Sequence, residues 1–219
     1  MKRTVIILLL LLTGTLGQAQ SIKLGLQASP QLSWMRSTDD NIMNSQSRIS
    51  IRYGLEADIF LFGVPRYSLN TGFYVNNLSF KAKYSLNDPL VINGKTLANP
   101  VEIKYNINYL EIPFDIKLRS DQFYRMTYYG QFGLTSLINI SATATSSDLV
   151  LNSSNVSGSI AMFNMGMLMG GGVEYDIGGN TALNFGIQYS NYFLDATTIK
   201  NLDEKTTINS IRLVIGVMF

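Results

Sequence analysis

Ser210 to Phe219, SIRLVIGVMF, is the stretch whose reading decides the fold. Ile211, Leu213, Ile215, Val217 and Phe219 fall on one side of an extended strand, and Arg212, Val214, Gly216 and Met218 on the other. Side chains in a strand alternate faces, so one face is wholly apolar and the other is mixed and carries a charge. The chain stops on an aromatic residue with its carboxylate. A last strand of this kind behind an export signal is what a transmembrane β-barrel carries. Phe219 is read as the C-terminal insertion signal, which barrel-assembly machinery would take up.

The other end supplies the export signal. Met1, Lys2 and Arg3 form a short positive region, Val5 to Leu12 an apolar run, and Gly17 and Ala19 a small-residue cleavage site. Residues 1–19 therefore read as a secretory signal peptide and residues 20–219 as a single domain. No later stretch approaches the roughly 20 apolar residues of a membrane helix. An integral protein of this sequence must then be a closed barrel. Removing Lys2 and Arg3 lowers the bases from 17 to 15 against 15 acids, so the mature net charge is near zero. That argues against nucleic acid as a partner, which demands a basic excess. With no cysteine and no histidine, thiolate chemistry, histidine-based triads and the commonest zinc ligand are all removed. No cofactor, metal or catalytic residue is expected, and the chain is read as a non-enzyme.

Eight segments alternate with period two: 22–34, 49–61, 67–84, 101–118, 123–142, 160–177, 182–192 and the last ten residues. The connections between them run long, short, long, short, long, short, long, with polar stretches at 35–47, 85–100, 143–158 and 194–205. Short turns on one side and long loops on the other are the rhythm of an outer-membrane barrel. An even strand number places both termini on the periplasmic side. In 101–118 the apolar phase slips after Tyr109, from Val101, Ile103, Tyr105 and Ile107 to Leu110, Ile112, Phe114 and Ile116. A slip of this kind reads as a β-bulge, and Pro113 beside it fits a bulge or an edge.

Alternation alone does not separate a soluble barrel, apolar inside, from a membrane barrel, apolar outside. Three features favour the membrane. The segments exceed the usual strand length. Trp34, Tyr67, Tyr84, Tyr105, Tyr124, Tyr189, Tyr192 and Phe219 gather near strand ends, as interfacial girdles do. The polar face is rich in Gly, Ser, Asn and Gln instead of a dense Lys/Glu mixture. The expected fold is thus all-β: an eight-stranded antiparallel up-and-down transmembrane β-barrel. Its interior would collect Arg52, Glu56, Asp58, Glu111, Lys117, Arg125, Glu174 and Arg212. Buried charges persist only when paired, so these are expected to form a structural salt-bridge network.

The glycine run Gly166 to Gly172 lacks the Lys-Ser/Thr of a phosphate loop and sits in a strand pattern, which assigns it to packing. The stripe Met162, Met165, Met167 and Met169 reads as lipid-facing. Asp39-Asp40 and Asp203-Glu204 read as solvated loop charge. Glu56, Glu111 and Glu174 are the carboxylates that would share an interior and so the candidates for acid–base work.

Tyr109-Leu110-Glu111-Ile112-Pro113-Phe114 (YLEIPF) resembles the YLEIPL-type signature of PorT-like outer-membrane β-barrel proteins of Bacteroidota. Tyr129-Gly130-Gln131-Phe132-Gly133 and Gly170-Gly171-Gly172-Val173-Glu174-Tyr175 resemble the motifs that follow it. The resemblance spans the mature chain and implies no catalytic residues; some members assist a secretion system. The leading expectation is a small integral outer-membrane protein with a structural or interaction role. Its surface loops would meet envelope or secretion proteins, and outer-membrane lipid would surround it. A small-solute transporter or pore is the alternative, and a soluble secreted lipid-binding barrel the structural competitor.

Overall fold

The computed structural model describes residues 22–38, 41–86, 88–198 and 205–219. The signal peptide expected at residues 1–19 and the acidic pairs Asp39-Asp40 and Asp203-Glu204 lie outside the described residues. Eight long strands close on themselves: β1 (Ile22–Ser37), β2 (Ile42–Phe60), β3 (Tyr67–Tyr84), β6 (Val101–Arg119), β7 (Met126–Ser146), β9 (Phe163–Gly178), β10 (Thr181–Tyr192) and β11 (Thr206–Met218). Between them lie a small hairpin, β4 (Val91–Ile92) and β5 (Lys95–Thr96), and a two-residue strand, β8 (Ser154–Asn155), that pairs with β7. Every neighbouring pair in the wall is antiparallel, and β1 meets β11 to seal it.

The register fixes the barrel's shape. Partners followed around the wall from Lys23 run through Asp58, Asn70, Asp115, Gly133, Leu168, Ser190 and Ser210, and return to β1 at Ser33. The displacement from Lys23 to Ser33 is a shear of ten residues over eight strands. Such a barrel has strands tilted by roughly 35–45° and an interior that side chains fill. At one end stand three short turns (61–66, 120–125 and 179–180) together with Ile22 and Phe219. From the other end the chain leaves and re-enters the wall between β1 and β2, β3 and β6, β7 and β9, and β10 and β11.

The outward face forms a continuous apolar belt. Leu24, Leu26, Tyr53, Leu55, Phe73, Phe114, Phe132, Leu134, Met167, Met169, Phe185, Ile187, Leu213 and Ile215 are all exposed, while Arg52, Glu56, Asp58, Glu111, Asp115, Glu174 and Arg212 of the same strands are buried. On β1 the belt runs from Ile22 to Trp34, roughly 30 Å along the axis at the usual rise and tilt. The strands outrun it. At 21 residues, β7 spans roughly 50 Å, about twice the height of an apolar membrane band.

Beyond the belt, on the loop side, the two faces exchange character. Leu78, Phe80, Ala82, Val101, Ile103, Tyr105, Ile107, Tyr109, Leu137, Ala142, Ala144 and Ile208 point inward into a dry cluster. Leu90, Ile92 and Leu97 from the 85–100 connection, Leu151, Val156 and Ile160 from 147–162, and Ala196 drop into the same cluster and cork the mouth. Outward at this level stand Asn77, Lys81, Lys83, Lys104, Asn106 and Asn108. Inside the lipid the barrel is polar within; above it, it is built like a soluble β-protein.

Several sequence expectations change for this reason. The phase slip in 101–118 is no bulge in β6, whose odd residues stay buried from Val101 to Lys117 without interruption. What changes at Tyr109 is which chemistry faces inward. The one irregularity nearby belongs to β7, where Ile140 is the extra residue between Ser141, opposite Asn108, and Asn139, opposite Tyr109. Pro113 is neither at an edge nor at a bulge. It sits mid-wall between β3 and β7, with Thr71 Oγ1 donating to its carbonyl at 2.8 Å. The segment 35–47 is mostly strand, so the first connection shrinks to 38–41 and three long ones remain. Tyr84, Tyr105 and Tyr192 leave the girdle for the interior, where the Tyr84 and Tyr105 hydroxyls bond at 3.0 Å. Tyr124 lies exposed in the turn before β7.

Candidate functional site

The inward alternation of β1, β2, β3, β6, β9, β10 and β11 brings the interior charges together in two groups at different depths. The upper group centres on Glu111, the acidic residue of the YLEIPF segment. Tyr109, Glu111 and Pro113 point inward, and Leu110, Ile112 and Phe114 outward. Arg52 Nε approaches Glu111 Oε2 at 3.1 Å and Arg212 Nη1 approaches Oε1 at 3.4 Å. Asn76 Nδ2 donates to the same carboxylate at 2.5 Å and Thr135 Oγ1 at 3.1 Å. Arg52 also donates to Gln27 Oε1 at 3.0 Å and lies 3.3 Å over the Tyr74 ring. Arg212 bonds Ser190 and, at 3.2 Å, the Tyr192 hydroxyl.

The lower group, toward the turns, centres on Lys117. Its ammonium lies 2.7 Å from Glu174, 3.1 Å from Asp58 and 3.4 Å from Glu56, and 4.5 Å over the Tyr129 ring. Arg119 reaches Glu174 at 3.0 Å, also pairs with Asp58, and donates to Ser68 Oγ at 2.7 Å. Asn70 Nδ2 bridges Glu56 and Asp58, at 2.7 Å from each. Charges buried at these depths are tolerable because each cation meets at least one carboxylate and most of the remaining polar atoms meet amides and hydroxyls, Glu56 Oε2 and Arg212 Nε being the exceptions.

Of the expected interior residues, Arg52, Glu111 and Arg212 meet in one group, and Glu56, Asp58, Lys117 and Glu174 in the other. Arg125 does not join them. It stands exposed in the turn before β7, where its carbonyl accepts from the Asp176 amide at 2.8 Å. Its expected place is held by Arg119, which shares the inward parity of Lys117. Asp115 shares that parity and stands in the interior beyond the eight expected residues. Its side chain is buried against Gly133, and neither carboxyl oxygen has a hydrogen-bond partner in the protein.

Aromatic rings in glycine slots occupy much of the remaining bore. A Cβ on Gly54 or Gly72 would meet the Tyr74 ring at 2.9 Å, and one on Gly172 or Gly186 would meet the Tyr129 hydroxyl at 2.7 and 2.5 Å. The turn-side mouth is a cavity of about 570 Å³ with Phe60, Val64, Ile22 and Phe219 on its walls and Arg119 and Glu174 among its lining. The carboxylates that could do acid–base work are all committed to cations: Glu111 to Arg52 and Arg212, Glu56 and Glu174 to Lys117. Among the described residues no group of three or more His, Cys, Asp and Glu side chains has the arrangement to hold a metal ion.

Solved structures share this architecture. Neisserial surface protein A is 15% identical with a TM-score of 0.50, over 89% of this chain and 95% of its own. The outer membrane protein OprG from Pseudomonas aeruginosa is 12% identical with a TM-score of 0.46, over 91% and 95%. The outer membrane enzyme PagL is 12% identical with a TM-score of 0.36, over 87% and 97%. Likeness at this level speaks to the fold alone. No curated protein matches the chain in sequence. The model of the outer membrane protein beta-barrel domain matches residues 18–193. With the closed eight-stranded wall, the apolar belt and the ion-paired interior in view, the chain belongs to the outer membrane protein beta-barrel domain family.

Proposed function

We propose that this protein is a non-enzymatic outer-membrane barrel that holds its loops at the cell surface for contact with envelope or secretion proteins, its lumen serving as a structural core. One observation carries the reading: the interior is filled at successive depths by the Lys117 group, the Glu111 group and the apolar cork. A barrel of eight strands has little bore to spare. The three long connections remain as the surface beyond the wall, and binding residues concentrate on loops held by a rigid scaffold. Leu149 and Met162 are 75% and 77% exposed there, which fits contact with a partner. Ile22 and Phe219 share the end with the short turns, which supports a periplasmic location for both termini. The YLEIPF resemblance supports the narrower placement among PorT-like proteins.

Planar-bilayer recording tests the reading. The folded chain is expected to give no stepwise conductance above the bare bilayer. Reproducible single-channel steps would overturn it in favour of a small-solute pore, a reading for which the 570 Å³ turn-side mouth offers a first compartment.

A further inference from the structure

Above the belt, outward charge lies on one half of the wall, with Arg36 on β1 and a cluster on β3 and β6. β7, β9, β10 and β11 carry no outward-pointing charged side chain. On β3 and β6, Lys81, Lys83 and Lys104 point outward around a single carboxylate, Glu102. Lys81 is the cross-strand partner of Lys104, and Lys83 of Glu102. Glu102 takes Lys81 at 3.5 Å and accepts a bond from Ser45. Three lysines against one acid leave the patch two charges positive, and like charges directly opposite each other disfavour the sheet unless an anion sits between them.

Between the lysines and the belt lies a ladder of amides and hydroxyls. Asn77 Nδ2 donates to Asn108 Oδ1 at 2.5 Å, Asn108 Nδ2 to Ser141 Oγ at 3.1 Å, and Ser79 Oγ to Asn106 Oδ1 at 2.7 Å. Val75 and Leu110 are the last apolar outward residues of these strands, and Lys81 and Lys104 follow six residues beyond each. On the other strands Trp34, Ile49 and Phe163 carry the belt higher. Along their own strands the lysines stand roughly 15 Å above Val75 and Leu110, and nearer to the higher edge that Trp34, Ile49 and Phe163 set, which puts them at the level of the polar layer outside the hydrocarbon.

We propose that this flank binds the phosphate-bearing headgroup of a glycolipid in the loop-side leaflet, Lys81 and Lys104 taking the phosphate and the Asn–Ser ladder the sugar hydroxyls. The proposal rests on the lipid-facing reading of the belt. It is tested by folding the chain into phosphatidylcholine nanodiscs doped with diphosphorylated lipid A and measuring lipid adducts by native mass spectrometry after transfer to detergent. The wild type is expected to retain lipid A over phosphatidylcholine. The Lys81→Gln/Lys104→Gln variant is expected to retain roughly tenfold less, high salt to weaken retention likewise, and Lys95→Gln, on the β4–β5 hairpin, to match the wild type. Equal retention by the double variant, or equal retention of phosphatidylcholine, overturns the proposal. Displacement of lipid A by excess inorganic phosphate also overturns it, by making the patch a general anion site. Insertion is checked by heat-modifiable electrophoretic mobility. A wild type that does not insert sinks the belt reading and this one together, whereas insertion with unselective lipid binding sinks this one alone.

Discussion

Lys117 shows what one buried side chain does in this interior. Three carboxylates converge on its ammonium, and Arg119 relieves only Asp58 and Glu174 of their dependence on it. Removing one partner of a buried ion pair leaves charge that nothing neutralises. Lys117→Met is therefore expected to destabilise the folded barrel by about 3–5 kcal/mol, read from the urea midpoint of folding into phosphatidylcholine vesicles. Asp115 makes the contrast. With no hydrogen-bond partner for either oxygen, Asp115→Asn replaces a carboxyl that makes no direct polar contact by an amide of nearly the same shape. That variant is expected to be neutral or to gain about 1 kcal/mol; a loss as large as that of Lys117→Met would mean Asp115 has a partner role. On the loops, Asp148 accepts from the Ala98 amide at 2.8 Å and from Val150 at 3.1 Å, and bonds Ser146. The Ala98 amide, then the Ser146 hydroxyl, hold its carboxyl below the ordinary carboxylate value. A depressed value stabilises the folded loop above the ordinary range and ceases to do so as pH falls through the folded value. Protease cleavage within 147–162 is expected to rise on acidification below about pH 4, and in Asp148→Asn to be raised already at neutral pH.

At the scale of the element, β3 and β6 carry the lesson of the inversion. Most of the wall was legible in the sequence because lipid demands an apolar residue at every second position: Tyr67–Tyr84 was read with its observed bounds. Where the strands leave the lipid, that demand stops. In 35–47 the outward positions turn mostly polar, Met43 excepted, with Met35 and Ile42 marking the buried face, so the apolar alternation that marks a strand fades. In β6 the pattern did not fade but changed sides, and apolar phase alone could not tell a change of side from a bulge. Alternation does not extend to Arg125, because three residues of turn, 123–125, precede the strand. Arg119 and Asp115 needed only the parity of Lys117. The inversion predicts position-dependent tolerance along one strand. Phe114→Lys places a cation in the belt and is expected to cost about 2–4 kcal/mol, whereas Asn106→Lys, eight residues away on the same outward face, is expected to change stability by less than about 1 kcal/mol. Equal costs in a vesicle-folding titration would refute the boundary between Leu110 and Asn108. A sharper local constraint lies at Gly54, where a methyl would strike the Phe73 carbonyl and the Tyr74 ring. Gly54→Ala is accordingly expected to lower folding yield more than any outward substitution on β2.

For the whole molecule, two stabilising regimes stacked along one wall make stability uneven. In the belt the backbone bonds are shielded by hydrocarbon, where breaking one leaves it without water to replace it. Above the belt the wall meets water, and it is held by the cork that Leu90, Ile92, Leu97, Leu151, Val156 and Ile160 build with β3, β6 and β7. That upper storey is a small hydrophobic core, and emptying part of it costs about 2–5 kcal/mol for each large aliphatic side chain truncated to alanine. Local opening follows such differences in free energy. The Leu90→Ala/Leu97→Ala variant, folded in bilayers and followed by hydrogen exchange, should lose protection at residues 77–84 of β3 and 101–108 of β6. The amides at 68–75 and 110–117 of the same strands should stay as protected as in the wild type. Simultaneous loss along the full strands would mean that the barrel opens as one unit and that the belt gains its rigidity from the cork. Loss confined to the upper storey would mean that the membrane half stands on its ion-paired interior, leaving the loops free to vary without endangering the wall that holds them.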